Sequence, residues 1–237
     1  MDKIITTSWD DGHPLDFRLA ELLEKYNLKG TFYVPKHNSQ NMVMEENEIR
    51  VLSERHEIGG HTLNHVNLKM LDNQGLRKEI HGSYQWLKEI TGKNPNSFCP
   101  PFGAYNDSVL AAIKHAGFTT IRTTQLLSID QREMIAHTTI QLYNHSTFTY
   151  AKHLIKRARV NDLIFWLSSG PTSKLLKLTD YYLSEIDERG GCFHLWGHSW
   201  EIEKFNLWGN LELLLKHLSQ RDGFKSLTNE ELKKSSI

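Results

Sequence analysis

Apolar and polar positions along this chain switch repeatedly between strand-like and helix-like patterns. Ile4 to Trp9 reads as a short strand ending in Asp10-Asp11 and a Gly12 turn, after which Leu15, Leu19, Leu22 and Leu23 recur at helical spacing. Gly30 to Val34 is a second β-rich run, followed by a loop at Pro35 to Asn38 and a helical pattern at Ile49 and Leu52. Glu57 to Gly60 is a brief strand leading into His61-Thr62-Leu63-Asn64-His65, and a long amphipathic segment runs from about Asp72 to Ile90. Phe98 to Gly103 is a strand end broken by Pro100 and Pro101, with Asn106 or Asp107 as the cap of a helix bearing Val109, Leu110 and Ile113. Thr119 to Thr123 is a further strand, and Ile135 to Tyr143 contains another candidate. Tyr150 to Leu167 and Lys174 to Glu188 read as helices, the second closed by Gly190-Gly191. Cys192 to Trp196 is the last strand; it delivers Gly197 to Glu201, and a helix follows over about Leu207 to Leu218.

Strands alternating with helices imply an α/β protein with a mostly parallel sheet and right-handed crossovers, either an open sheet or a barrel. Both architectures build their sites from the loops after the C-terminal ends of strands. Four polar clusters fall at such ends: Asp10-Asp11, His61 with His65, Pro100 to Gly103, and His198. They are therefore read as one set. The sequence holds no internal repeat, and 237 residues fit one barrel, so a single domain over residues 1–237 is expected.

Composition narrows the partners. Lys+Arg and Asp+Glu each total 28, with no long block of one sign, which excludes an electrostatic footprint for nucleic acid or an anionic membrane. No apolar run approaches the roughly 18 residues of a membrane span, and the opening MDKIITTSWDDG lacks a basic and then apolar leader. A cytoplasmic protein acting on a small neutral substrate or a sugar is the expectation; oligomeric state is not readable. Cys99 and Cys192 lie far apart without CxxC spacing, which predicts reduced thiols rather than a disulfide or a thiolate zinc site.

His61 and His65 stand about one helical turn apart and can face one point if the local backbone turns helically. Alone, an HxxxH carries little. A carboxylate from another strand end changes that, because two imidazoles and one carboxylate form a cation site with open positions. Asp10 and Asp11, adjacent at a strand end, point to different faces and can hold different tasks. One can ligate while the other takes a proton from an attacking water, and a histidine opposite can protonate a leaving nitrogen. His198, nearest the loop edge, suits that role better than His194, which lies deeper in the strand as a core histidine.

With these residues together, the chain resembles the polysaccharide deacetylases, carbohydrate esterase family four, over roughly Ile4 to Glu201. SWDDGHP is similar to the family's TFDDGP motif, HTLNH to H(S/T)xxH, FCPPFG to RPPYG, and CFHLWGH to the strand that ends in the catalytic acid. The resemblance implies a distorted (β/α) barrel and a metal-dependent N-deacetylase. It implies Asp10 as base, Asp11, His61 and His65 as ligands of one divalent metal, Thr62 as support for the second loop, Phe102 as a backbone N–H donor to the oxyanion, and His198 as acid. Zinc is the expected metal, with cobalt, manganese and iron also acceptable to such a ligand set. The expected substrate is an N-acetylated sugar, with an allantoinase-like small-amide hydrolase as the alternative. A retired carbohydrate-binding relative, stacking sugars on Trp196, Trp200 and Trp208, is the third reading.

Two departures stand out. Cys99 occupies the place of the family Arg that pairs with the catalytic Asp, which would leave Asp10 without its cation unless Arg122 substitutes. The motif whose Trp and acidic residue orient the catalytic His has no clear match between Gln125 and Thr149; Glu201 is a candidate partner for His198.

Overall fold

A computed structural model describes residues 2–132, 134–143 and 174–232. The helix expected over Tyr150 to Leu167 lies outside the described residues. β1 (Lys3–Asp10) is central, paired in parallel with β2 (Thr31–Val34) on one side and β9 (Gly191–Gly197) on the other. From β2 the sheet continues through β3 (Glu57–Gly60), β4 (Ser97–Phe98) and β5 (Thr120–Arg122), all parallel. Beyond β5 lie β7 (Ile135–Ala136) and its antiparallel partner β6 (Gln131–Arg132); β8 (Ile140–Gln141) borders β9. β10 (Lys225–Ser226) pairs with the start of β1. Backbone bonds from Thr138 to Gln125, Thr139 to His194 and Leu142 to Trp196 carry the chain across the interval between β5 and β9, so the sheet curls into the expected distorted (β/α) barrel.

The helices follow their sequence signals closely. α1 (Asp16–Lys25) buries Leu19 and Leu23 against the sheet, and α2 (Glu46–Leu52) buries Ile49 and Leu52. α3 (Asn73–Thr91) starts at Asp72, whose Oδ1 accepts from the Gly75 N–H at 2.8 Å, and stops at Gly92, whose φ of 68° suits glycine. α4 (Asp107–Ala116) is capped by Asn106, not Asp107: the Asn106 side chain accepts from the Val109 N–H at 3.0 Å. Among the described residues, no helix is long and apolar enough to cross a membrane.

Strand alternation sorts side chains into an apolar outer layer and a polar interior. Ile5, Trp9, Phe32, Ile58, Phe193 and Leu195 pack outward in the main core beneath the helices. Thr6, Ser8, Asp10, Thr31, Tyr33, Glu57, Ser97, Arg122 and His194 are buried together with their hydrogen-bonding partners within the barrel. Glu57, at the lower end, accepts from Thr31, Ser97 and the Glu230 backbone N–H, and burial pushes its carboxyl up to about 7. Asn229 closes that end: its side chain joins Thr6 and Tyr33, at 2.9 and 2.8 Å.

Candidate active site

The upper strand ends gather Asp10, Asp11, His61, His65, Phe102 and His198. β1 ends with Asp10 pointing into the barrel; the next residue, Asp11, takes φ 78° and turns its carboxylate toward the β3 loop. Gly12 follows at φ 59°, where a Cβ would stand 2.6 Å from Val34 Cγ1, so no side chain fits. Of seven non-glycine residues with positive φ among those described, four (Asp11, Thr62, His65 and Phe102) sit in these loops. Backbone strain is concentrated where the side chains must converge.

His61 and His65 converge differently from the expected helical turn. Residues 61–65 form no helix; left-handed Thr62 and His65 bend the loop back, and the two rings stand 5.1 Å apart. Nor does the Thr62 hydroxyl brace this loop, since its Oγ1 is buried without a hydrogen-bond partner. Glu79 of α3 does so instead, accepting from the backbone N–H groups of Leu63 and Asn64 at 3.0 and 2.9 Å and from Asn64 Nδ2 at 2.7 Å. A carboxylate on the buried stripe between Leu76 and Ile80 was the available sequence signal for Glu79.

His61 Nδ1–H donates to the Cys99 carbonyl at 2.7 Å, which turns Nε2 toward Asp11. Asp11 Oδ1 lies 3.6 Å from His61 Nε2 and 3.1 Å from His65 Nε2, and it is buried without a hydrogen-bond partner. Ligand atoms of all three residues fall within 4.8 Å of one another. Electron-rich atoms packed this way repel unless a cation or protons intervene, so the three residues fit a divalent metal. Burial opposes ionisation of Asp11, but the imidazoles of His61 and His65 and the charge of His198 hold its carboxyl well below the usual range.

Asp10 has its cation after all. Arg122, from β5, is fully buried and ion-paired with Asp10 Oδ1, while Cys99 Sγ stands 3.8 Å from Oδ2. The guanidinium lies over the rings of Trp196 and Tyr33, 4.6 and 5.2 Å from their centroids. Burial alone would raise the Asp10 carboxyl; Arg122, then His61 and His198, more than offset it and leave it lowered. The cation expected from the position of Cys99 thus arrives from the neighbouring strand.

His198 follows β9, with Nε2 4.0 Å from Asp10 Oδ2 and Nδ1–H donating to Glu201 Oε2 at 2.6 Å. Burial lowers the affinity of its ring for a proton, but Glu201, Asp10 and Asp11 outweigh burial and raise it. His194 is different: fully buried, it donates from Nδ1 to the His137 carbonyl and accepts from Ser8 at Nε2, and burial pushes it down to about 3. Phe102, at φ 59° after two prolines, is 60% exposed, its ring centroid 4.9 Å from that of His65.

Trp196, Trp200 and Trp208 are each engaged in contacts within the protein. Trp196 is buried beneath Arg122 and Trp208 beneath Arg18, and Trp200 turns its indole N–H onto Asp11 Oδ2 at 2.8 Å. That bond had no signal in the sequence beyond the nearness of Trp200 to His198.

The site thus brings together three residues that could hold a cation, an arginine-paired carboxylate and a glutamate-bound histidine. The polysaccharide deacetylase family model matches residues 1–121. The chain is 27% identical over 196 residues to a peptidoglycan-N-acetylglucosamine deacetylase of Bacillus cereus, covering 81% of this chain and 85% of that protein. Further curated relatives are matched over about half of this chain and less than half of their own length. Among solved structures, one from Mycobacterium smegmatis superposes with a TM-score of 0.70 at 16% identity, over 99% of this chain and 91% of that one. A family 4 acetyl xylan esterase from Clostridium thermocellum, in complex with cobalt, gives 0.61 at 17% identity over 98% and 91%. At those identities the superpositions establish the fold.

Proposed function

Because this chain belongs to the polysaccharide deacetylase family, we propose that it hydrolyses the N-acetyl group of an amino sugar within a glycan, releasing acetate and the free amine. The observation that carries the reading is the convergence of Asp11 Oδ1 with the Nε2 atoms of His61 and His65, beside the paired Asp10 and His198. The Bacillus cereus relative acts on N-acetylglucosamine of peptidoglycan by its name, which supports that class of sugar.

In this reading Asp11, His61 and His65 hold one divalent metal, zinc being the first choice. When bound there, the cation lowers the pKa of a water toward about 7 and polarises the acetyl carbonyl. Asp10, kept ionised by Arg122, takes the proton that the water loses as its oxygen bonds to the carbonyl carbon. The Phe102 backbone N–H donates to the oxyanion that forms. His198, protonated and held by Glu201, gives its proton to the sugar nitrogen as the carbon–nitrogen bond breaks, so the amine leaves neutral.

The test is acetate release from N-acetylglucosamine oligomers and peptidoglycan fragments, with protein treated with chelator and then resupplied with zinc. Release that stops on chelation, returns with zinc and is lost in Asp10→Asn is the expected result. No release from either glycan by zinc-loaded protein would remove the sugar reading.

A further inference from the structure

The short helix Ser199–Lys204 places three consecutive residues on the catalytic edge. The buried Ser199 hydroxyl lies beside the buried Asp16 carboxyl, Trp200 bonds Asp11, and Glu201 bonds His198. The Trp200 ring also stands 5.6 Å from the His198 ring, with Lys204 Nζ 5.9 Å from its centroid on the helix's outer part. One side chain therefore touches both the carboxylate beside the histidine pair and the imidazole opposite.

A carboxylate facing two imidazoles can offer a cation one oxygen or both. Here the indole N–H occupies Oδ2 at 2.8 Å, and Oδ1, without another partner, faces His65 Nε2 and His61 Nε2 at 3.1 and 3.6 Å. Indole is a donor only, so this contact has one possible sense. Among the described residues, the donor that reaches Oδ2 is this indole.

We propose that Trp200 is a positioning residue for the metal carboxylate: its indole N–H holds Asp11 Oδ2, so that Asp11 presents a single oxygen to the cation and is tied to the segment bearing His198. This rests on Asp11, His61 and His65 being the metal ligands. Filling the site then also fixes the acid, because the same indole braces the His198 ring. A hydrogen-bonded outer oxygen is a usual source of ligand orientation, and its loss typically lowers metal affinity by about ten- to a hundredfold.

The experiment is zinc titration against a competing chelator for wild type, Trp200→Phe and His61→Ala, with melting of the zinc-free proteins alongside. Wild type should bind about one zinc, and Trp200→Phe should bind about ten- to a hundredfold more weakly while its zinc-free melting temperature stays near that of wild type. Phe retains the ring contact with His198 and lacks only the donor. Trp200→Phe binding zinc within about threefold of wild type would overturn the proposal. A second measurement needs no variant: in wild type carrying nitrogen-15 tryptophan, an indole N–H signal should move when zinc is added, and a spectrum in which no indole signal moves also overturns it. Wild type that binds no zinc removes the ligand set itself, a different failure from tight binding that ignores Trp200.

Discussion

Replacing Arg122 with Met keeps most of the stem's volume and removes a guanidinium that solvent cannot replace, since Arg122 is 0% and Asp10 4% exposed. Two charges about 4 Å apart at an effective dielectric near 20 interact by about 4 kcal/mol. Breaking a buried pair from one side typically costs about 3–5 kcal/mol. The stranded Asp10 carboxyl can escape part of this by taking up a proton, because burial raises its pKa and the pairing that held it down is gone. The loss therefore depends on pH with a definite sign. In wild type the lowered Asp10 pKa contributes stability above the ordinary carboxylate range and loses it as pH falls. In Arg122→Met the folded pKa is raised instead, so stability falls as pH rises through it. Urea unfolding of zinc-free protein should show a deficit of about 3–5 kcal/mol at pH 8 and a smaller one at pH 5. Asp10→Asn with Arg122→Met should lose less than the two single losses summed, by at least about 2 kcal/mol. Additivity within about 0.5 kcal/mol, or a deficit equal at both pH values, would show that Arg122 is not the counter-ion of Asp10.

Glu201→Gln removes the charge that accepts from His198 Nδ1, so kcat should fall by about ten- to a hundredfold and the alkaline limb of its pH profile should move to lower pH; a profile that stays in place counts against Glu201 as the orienting group. Glu79→Gln replaces one acceptor oxygen of the three-bond clamp on Leu63 and Asn64 with a donor, and zinc affinity measured by chelator competition should fall about tenfold through loosening of His65. Glu57, pushed up to about 7 by burial, holds a proton in the native state that the unfolded chain has lost above about pH 4.5. Its contribution therefore declines by about 3 kcal/mol as pH rises across that window. His194, at about 3, gives the opposite slope below about pH 6.5, so the difference in urea stability between wild type and Glu57→Gln isolates the carboxyl, and a difference without slope from pH 4.5 to 8 refutes it.

Most of the fold was legible because apolar periodicity and capping chemistry agree locally. Asp72 and Gly92 bracket α3, and Ile5, Trp9, Phe193 and Leu195 mark outward-facing positions on neighbouring strands. The gathering of Asp10, Asp11, His61, His65 and His198 was legible from strand ends alone. What the chain hid were bonds between distant segments: Glu79 to the loop before His65, and Trp200 to Asp11, whereas Arg122 was already the candidate cation for Asp10. Such pairs depend on strand order and on left-handed bends at Thr62 and His65, neither of which periodicity reports. Between Gln125 and Tyr143 periodicity carries little for a related reason. The strands there are only two residues long, too short for alternation to register.

The placement of β1 also has a kinetic consequence. This first strand finds its neighbours in β9 and β10, and its Thr6 finds Asn229, some two hundred residues later in the chain. At a ribosomal pace of roughly 5–20 residues per second, β1 waits on the order of 10–50 s for those partners to be made. During that interval Ile4, Ile5 and Trp9 form an exposed, β-prone stretch with one flank unpaired, and contacts so remote in sequence close slowly even once the chain is whole. Expression yield should therefore respond to temperature and to chaperone supply more sharply than the finished protein's stability would suggest.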